Sequence, residues 1–442
     1  MTSPYLSPGK YYSFALIQPR EIRWELLRET GVIEAYGVIV SDILTLLFSY
    51  LSLRNYLARK YKSKRARLHP QLKYAVVITL LLWLTYMCLL LFSSSQVAAF
   101  PTFSLVTALQ FCKMILIFCS AFLWLIQDKK VLTVFYQSLL ALVVGVISIA
   151  SLQIFGSANE SVVQNSVAAT LEESKLVHRP NSIFLFSNEL AFLLQLFIFL
   201  LLLLKPYIQV AQSLKNIFKL SIFFAIFIIL FTQSRTVWLS GGITLIFSTF
   251  LFAEQLRNFA QSIWSYRYFC IATIVFVLVF IIFPRIYYTQ FSLQDGSATI
   301  RGKMIEEGLA ALQEAPFTGF GANSNVITML RYFPKGYIQD FPFPVHVGYL
   351  QIALEAGVFG SVCFFVPWLL PLRLMFNLKK WKNYLSKQHV LWISSIVLSI
   401  LIYYIFQPHA GRVEFFYLGL VMATCLTVTQ YSIEKQKPNE KT

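Results

Sequence analysis

Four residues in this 442-residue chain have the type and setting to handle an anion at a membrane surface: His346, Arg179, Arg235 and Arg301. His346 stands where a long polar stretch gives way to apolar sequence, in FPFPVHVGYLQIALEAGVFG. A neutral imidazole is the usual general base near neutral pH. The positive end of a helix dipole disfavours imidazolium and so keeps the ring in its accepting form. The alternative is an interfacial histidine that caps a helix. Arg235 lies in FTQSRTVWLSGG, between two apolar segments joined by almost no loop. A turn that short holds the guanidinium at a membrane face. There it either marks the interface by snorkelling or grips phosphate through two parallel hydrogen bonds. Arg179, in LVHRPNSIFLFSNELAF, and Arg301, in TIRGKMIEEGLAALQEAP, have the same two readings, as loop anchors or as phosphate ligands. Converging arginines would suit a diphosphate.

The elements that position these residues are membrane helices. Hydrophobic residues make up 57% of the chain and charged residues 13%, with a mean hydropathy of +0.64. A soluble domain carries about twice that charged fraction. Apolar segments recur near 31–53, 74–93, 103–126, 131–155, 183–204, 217–233, 236–253, 268–283, 348–372, 390–406 and 414–430. Crossing the hydrocarbon core takes about 20 apolar residues in a helix. The expectation is an all-α, polytopic integral membrane protein with about eleven transmembrane helices (range about 10–12). One long extracytoplasmic loop containing an amphipathic helix completes it.

The net charge of +17 does not imply a nucleic-acid partner, because 23 of the 37 Lys and Arg residues cluster in alternate loops. That is the positive-inside pattern. It sets 54–73, 128–130, 205–219, 257–267, 373–387 and the tail from Lys435 in the cytoplasm. The loops 94–102, 156–182, 234–235, 284–347 and 407–413 are then extracytoplasmic. The run RNYLARKYKSKRARLHPQLK is expected to touch anionic lipid headgroups. Segment 1–30 reads as an N-terminal interfacial helix, with no cleavable signal expected. The organisation predicted is the bundle 31–283, the outer loop 284–347, the bundle 348–430 and a cytoplasmic tail 431–442.

In the outer loop, Ile300, Met304, Ile305, Leu309 and Leu312 fall roughly on one helical face. Such a helix would lie along the membrane, end at Pro316, and lead into the glycine-rich turn PFTGFGANSN. Prolines 334, 342 and 344 make an extended approach to His346. Four charges lie inside apolar segments: Asp42, Lys113, Glu189 and Glu355. Such charges are costly and usually paired or functional. Glu355 follows His346 by nine residues, on the opposite helix face. The cysteines, Cys88, Cys112, Cys119, Cys270, Cys363 and Cys425, all lie in apolar segments and form no CxxC pair. Neither disulfides nor a zinc site is expected. GFG lacks the spacing of a dinucleotide fingerprint. No Walker sequence, HExxH, GxSxG or DxD occurs, so neither a cofactor nor a metal is expected.

The order RPNSIFLFSNELA, TQSRTVWLS, IRGKMIEEGLAALQEAPFTGFGANS and HVGYLQIALEAGVFG resembles the O-antigen ligase/polymerase superfamily of bacterial surface-polysaccharide enzymes. That family places a short SR-type turn before a long outer loop. The loop carries an Arg-led helix, then P-x-x-G-x-G, then a His-led helix with E-x-G-x-x-G. The matching positions are Ser234 and Arg235; Arg301; Pro316, Gly319 and Gly321; and His346, Glu355, Gly357 and Gly360. Val347 stands where the family often has Asn. The resemblance implies a metal-independent, inverting glycosyltransferase in the bacterial inner membrane. Its donor would be a glycan on undecaprenyl pyrophosphate, and its acceptor a glycan, lipid or protein. Arg179, Arg235 and Arg301 would hold the pyrophosphate, and His346 would deprotonate the acceptor hydroxyl. A transporter or flippase of lipid-linked sugar is the competing reading. Such proteins show broken helices near the midplane, whereas the prolines here lie almost entirely outside the apolar segments.

Overall fold

A computed structural model describes residues 40–60, 68–98, 101–127, 129–155, 187–209, 211–232, 234–251, 296–322, 329, 332–333, 336, 345–376, 387–407 and 412–436. Among the described residues all regular structure is helical, with no strand. The helices are α1 (Val40–Lys60), α2 (Pro70–Gln96), α3 (Pro101–Leu125), α4 (Lys129–Phe155), α5 (Ser187–Leu204, extended by a 3₁₀ turn Lys205–Tyr207) and α6 (Gln212–Phe231). They continue with α7 (Arg235–Leu251), α8 (Gly296–Glu314), α9 (Gly348–Phe376), α10 (Lys387–Phe406) and α11 (Arg412–Gln436). Seven described helices are long and apolar enough to cross a membrane: α2, α4, α5 with its 3₁₀ turn, α6, α9, α10 and α11. The segment expected at 268–283, the N-terminal segment 1–30, and prolines 334, 342 and 344 lie outside the described residues. The described part of the first helix is Val40–Lys60. It extends into the basic stretch as far as Lys60, since Lys and Arg are good helix formers.

The contacts divide the fold into two compact units, neither continuous in the chain. The first holds the described residues up to Trp124, with Ser297–Leu370 and Tyr404–Ala423. The second holds those within Leu125–Gly296, Pro371–Tyr403 and from Thr424 onward.

In the first unit the core is aromatic. Pro70 starts α2, where its missing N–H is no loss, and His69 supplies the first carbonyl, accepting from Lys73 N–H at 2.9 Å. Trp83 and Tyr86 of α2 are fully buried against Phe364 and Trp368 of α9 and Phe111 and Phe118 of α3. The Trp83 indole N–H donates to the Phe364 carbonyl at 3.3 Å. The α3–α11 contact is tighter still. Phe111 and Phe415 ring centres lie 3.9 Å apart, and an added Cβ on Gly419 would sit 2.3 Å from the Met114 carbonyl oxygen.

In the second unit α5 is buried on almost every side, and α4, α6 and α7 pack against it. Its Gln195 Oε1 accepts from Ser240 Oγ of α7 at 2.9 Å. His389 of α10 is buried and bonded at both ring nitrogens, Nδ1 to Tyr207 Oη at 3.1 Å and Nε2 to Thr429 Oγ1 at 3.2 Å. Thr429 Oγ1 spends its proton on the Cys425 carbonyl. It therefore accepts from His389, which places the ring proton on Nε2. Glu189 of this unit, and Lys113 and Glu355 of the first, are buried. Cys88, Cys112, Cys119, Cys363 and Cys425 are free thiols.

The α3–α11 contact makes a direct prediction. Gly419→Ala places a methyl group against backbone that cannot rotate away, so the purified protein should melt at lower temperature in detergent. Gly145 of α4 has nothing within 4 Å of an added Cβ. Gly145→Ala should therefore leave the transition unchanged or raise it, by about 1 kcal/mol at most.

Candidate functional site

The glycine-rich turn after α8 and the start of α9 are joined by an interlock of main chain, all within the first unit. Gly357 interrupts α9 with φ 77° and ψ 169°. Only glycine adopts that conformation at little cost. The break frees carbonyls that a straight helix would keep for itself. The turn after α8 takes them: Phe320 N–H donates to the Leu354 carbonyl at 2.7 Å and Gly321 N–H to the Glu355 carbonyl at 2.9 Å. In return Val358 N–H donates to the Pro316 carbonyl at 2.8 Å. The chains approach so closely that side chains have no room. An added Cβ on Gly319 would lie 2.6 Å from the Glu355 carbonyl carbon, and one on Gly357 2.1 Å from the Phe317 carbonyl oxygen.

Small hydroxyls of the α2–α3 corner hold the other side of this turn. Ser93 Oγ donates to the Thr318 carbonyl. Ser94 Oγ accepts from Ala322 N–H at 3.0 Å, and Ser104 Oγ donates to the Ala322 carbonyl at 2.9 Å. These serines end α2 and begin α3. The turn after α8 and these serines therefore lie at one end of the unit.

Helix α8 rests on the start of α9. Met304 and Ala311 are buried in one apolar cluster with Phe320, Met329, Val345, Leu350 and Leu354, and Ile305 and Leu312 pack on its edge. Gly308 lets Leu350 and Val345 come within 3.0 and 3.2 Å of where its Cβ would be. Leu309, grouped with Met304, Ile305 and Leu312 on the expected apolar face, is 49% exposed. The side of α8 that faces α9 is chosen by the small residues Gly308 and Ala311, which permit close approach, rather than by the largest apolar ones.

Arg301 does not open α8, which begins at Gly296, but sits in its second turn and is half-buried. At 100° per residue it shares a face with Met304 and Gly308. It thus belongs to the side of α8 turned toward the start of α9. His346, half-buried, lies just before that helix. Val347 accepts the first helical bond, from Gln351 N–H at 2.9 Å, and packs on the apolar cluster. A valine after the histidine thus serves as a wedge, where an asparagine would offer a hydrogen bond. Glu355 is fully buried and accepts from Gln351 Nε2 at 3.3 Å.

Arg235 belongs to the second unit. It is the first residue of α7 and is exposed. Its hairpin is held shut by the Ile229 carbonyl, which accepts from Thr232 Oγ1 at 2.7 Å and from the Trp238 indole N–H at 3.3 Å. The Ser234 carbonyl accepts from Trp238 N–H at 3.0 Å. The backbone that carries Arg235 is therefore fixed. Arg179 lies outside the described residues. Among the described residues no three His, Cys, Asp or Glu side chains gather as metal ligands would.

Two features of the site escape a reading by residue type. One is the serine set, which looks like ordinary small polar sequence. The other is Glu414, at the edge of an apolar segment, whose Oε1 accepts from Tyr404 Oη at 2.5 Å with both side chains fully buried.

The described fold is that of a helical protein with several membrane-length apolar helices, a glycine-locked turn and a histidine just before a helix. A family model described as O-antigen ligase matches residues 220–365, and this segment of the chain is similar to that family. The match begins in α6 and ends in α9. It takes in Arg235, Arg301, the interlocked turn and His346. No curated protein matches the chain. That similarity is in keeping with a role in surface-polysaccharide biosynthesis and with a glycosyltransferase-like membrane enzyme.

The interlock predicts that Gly319→Ala and Gly357→Ala each abolish correctly folded protein or nearly so. Ser93→Ala, which removes one net hydrogen bond, should cost only about 0.5–1.5 kcal/mol. Thermal denaturation of the detergent-solubilised variants distinguishes the two scales.

Proposed function

We propose that this protein transfers a glycan from an undecaprenyl-pyrophosphate-linked donor to a hydroxyl acceptor, on the extracytoplasmic face of the bacterial inner membrane. The acceptor is a glycan, a lipid or a protein. The observation that carries this reading is the placement of His346. It stands at the mouth of α9, beside the face of α8 that bears Arg301, on a platform locked by the turn and the Gly357 break. A base held by backbone at the start of a helix, against which the Arg301-bearing helix packs, suits the attack of a neutral hydroxyl on a sugar bound to a diphosphate.

In this mechanism the arginines bind and neutralise the donor pyrophosphate. Arg235 contributes from its fixed hairpin, and Arg301 and Arg179 complete the set. His346 takes the acceptor proton as the acceptor oxygen forms its bond to the anomeric carbon. The bond from that carbon to the phosphate oxygen breaks on the opposite face, and its electron pair leaves with the lipid pyrophosphate. Configuration inverts, and the arginines rather than a metal ion stabilise the leaving charge.

The broken helix α9 is the one observation that favours a transporter, since such folds use unwound backbone to coordinate ions. Here the freed carbonyls of Leu354 and Glu355 already accept from Phe320 and Gly321. That use supports an architectural role for the break and leaves transfer as the better reading.

The decisive assay is glycan transfer from purified lipid-linked donor. His346→Gln keeps bulk and hydrogen bonding without basicity and should lower turnover by about 10²–10⁴-fold, with donor binding little changed. A glutamine variant as fast as wild type would remove His346 from the chemistry. Wild-type transfer lost in EDTA would overturn the metal-free step.

Arg235→Ala should weaken donor binding by about 1.5–3 kcal/mol for each charge-assisted bond lost. Arg235→Lys should restore only part, because an ammonium cannot form the planar pair. Unchanged donor use by the alanine variant would reduce Arg235 to an interface marker.

Orientation is checked separately. Single cysteines at 54–73 should be shielded from impermeant thiol reagent in intact cells, and those at exposed positions of α8 such as Lys303 and Glu306 should react. The reverse pattern would place the loop in the cytoplasm.

A further inference from the structure

Gly348, two residues after His346, has no free space beside it. An added Cβ would lie 2.3 Å from Tyr404 Cδ1 and 2.8 Å from the Gln407 carbonyl oxygen. The first turn of α9 is therefore seated directly on the end of α10. Tyr404 is the seat. Its ring is enclosed by Tyr349, Phe364 and Phe365, with centroids 6.4, 5.9 and 5.2 Å away. Its hydroxyl is tied to Glu414 Oε1 at 2.5 Å. A carboxylate with no solvent exposure at the end of a membrane helix is an expensive residue to retain. Packing alone does not call for it, since phenylalanine and an apolar partner would fill the same volume. A hydrogen bond from the hydroxyl does something packing cannot, fixing the ring's position along its own axis.

We propose that Tyr404 and Glu414 are positioning residues for His346. The Glu414 carboxylate holds the Tyr404 ring, the ring sets where α9 can begin, and the start of α9 sets the imidazole. This assignment rests on the reading of His346 as the base. It extends that reading to the α10–α11 end of the first unit, which lies beyond the residues matched by the family model.

The variants are Tyr404→Phe, which removes the hydroxyl and keeps the ring against Gly348, and Glu414→Gln, which keeps the bulk and loses the charge. Both are assayed in purified full-length protein with lipid-linked donor, beside wild type and His346→Gln. Each single variant is expected to lower kcat by about 10–100-fold, since a small misplacement of a catalytic group costs that much. Donor KM should stay unchanged, and the double variant should be no slower than the slower single, because the two act as one unit.

A second readout does not depend on turnover. The rate at which diethyl pyrocarbonate modifies His346, followed by mass spectrometry of its peptide, should change in both variants. Wild-type kcat together with a wild-type modification rate would overturn the proposal, as would additive effects in the double variant. If one variant fails to fold, the other decides. If neither folds, the pair is a stability element and the assignment falls. Absence of transfer by wild type, or a His346→Gln enzyme as fast as wild type, would sink the functional reading itself. A slow His346→Gln beside a fast Tyr404→Phe would sink only the positioning role.

Discussion

A helix in a membrane cannot break without giving its freed backbone groups other partners, because no water is at hand to receive them. This constraint organises the first unit. Gly357 breaks α9, and the carbonyls of Leu354 and Glu355 take their hydrogen bonds from the turn that ends the α8 segment. The turn must then lie flat against the helix, which removes the side chains of Gly319 and Gly357 and brings Gly321 against Ser94 and Ser104. Beyond the break about 19 residues of α9 remain, roughly 28 Å of helix, enough to cross the hydrocarbon core. Before it stand two and a half turns, covered by α8. The break thus converts one long helix into a membrane anchor and a stage for His346.

The two units carry the candidate arginines differently. Arg301 is tied to the stage through the packed face of α8, so its position follows from the same cluster that holds Val345 and Leu350. Arg235 depends on a hairpin that closes on a single carbonyl, that of Ile229, and its side chain is exposed. A guanidinium on a rigid backbone with a free side chain suits a group that must meet a lipid-borne ligand, because the stem retains freedom until the ligand arrives.

The helices were readable from apolar runs of membrane length, since that signal is carried by composition over about 20 residues. Boundaries were less so, and α1 runs past its apolar stretch into Arg54, Arg59 and Lys60. The part of α8 that packs on α9 could not be told from its apolar residues alone. Periodicity identifies which residues are apolar, but Gly308 and Ala311 reveal their role only when Leu350 and Val345 are pressed against them. The motif glycines were visible as letters. Their reason was not, because Gly319 and Gly357 are needed by each other across 38 residues of chain. Glu414 was missed for a similar cause. It looks like the edge of an apolar segment until Tyr404 is found bonded to it, buried from all sides.

The interlock also sets the unit of exchange for this fold. The turn Pro316–Ala322, the break at Gly357 and the serines of the α2–α3 corner are three pieces of one joint, contributed by three distant stretches of sequence. A chimera that borrowed the outer loop alone would bring the tongue without its groove. Cut points placed before Ala315 and after Val358, with residues 93–104 carried along from the same parent, would move the joint whole. Loop swapping intended to alter what this protein accepts therefore has natural seams, and they do not coincide with the ends of the loop.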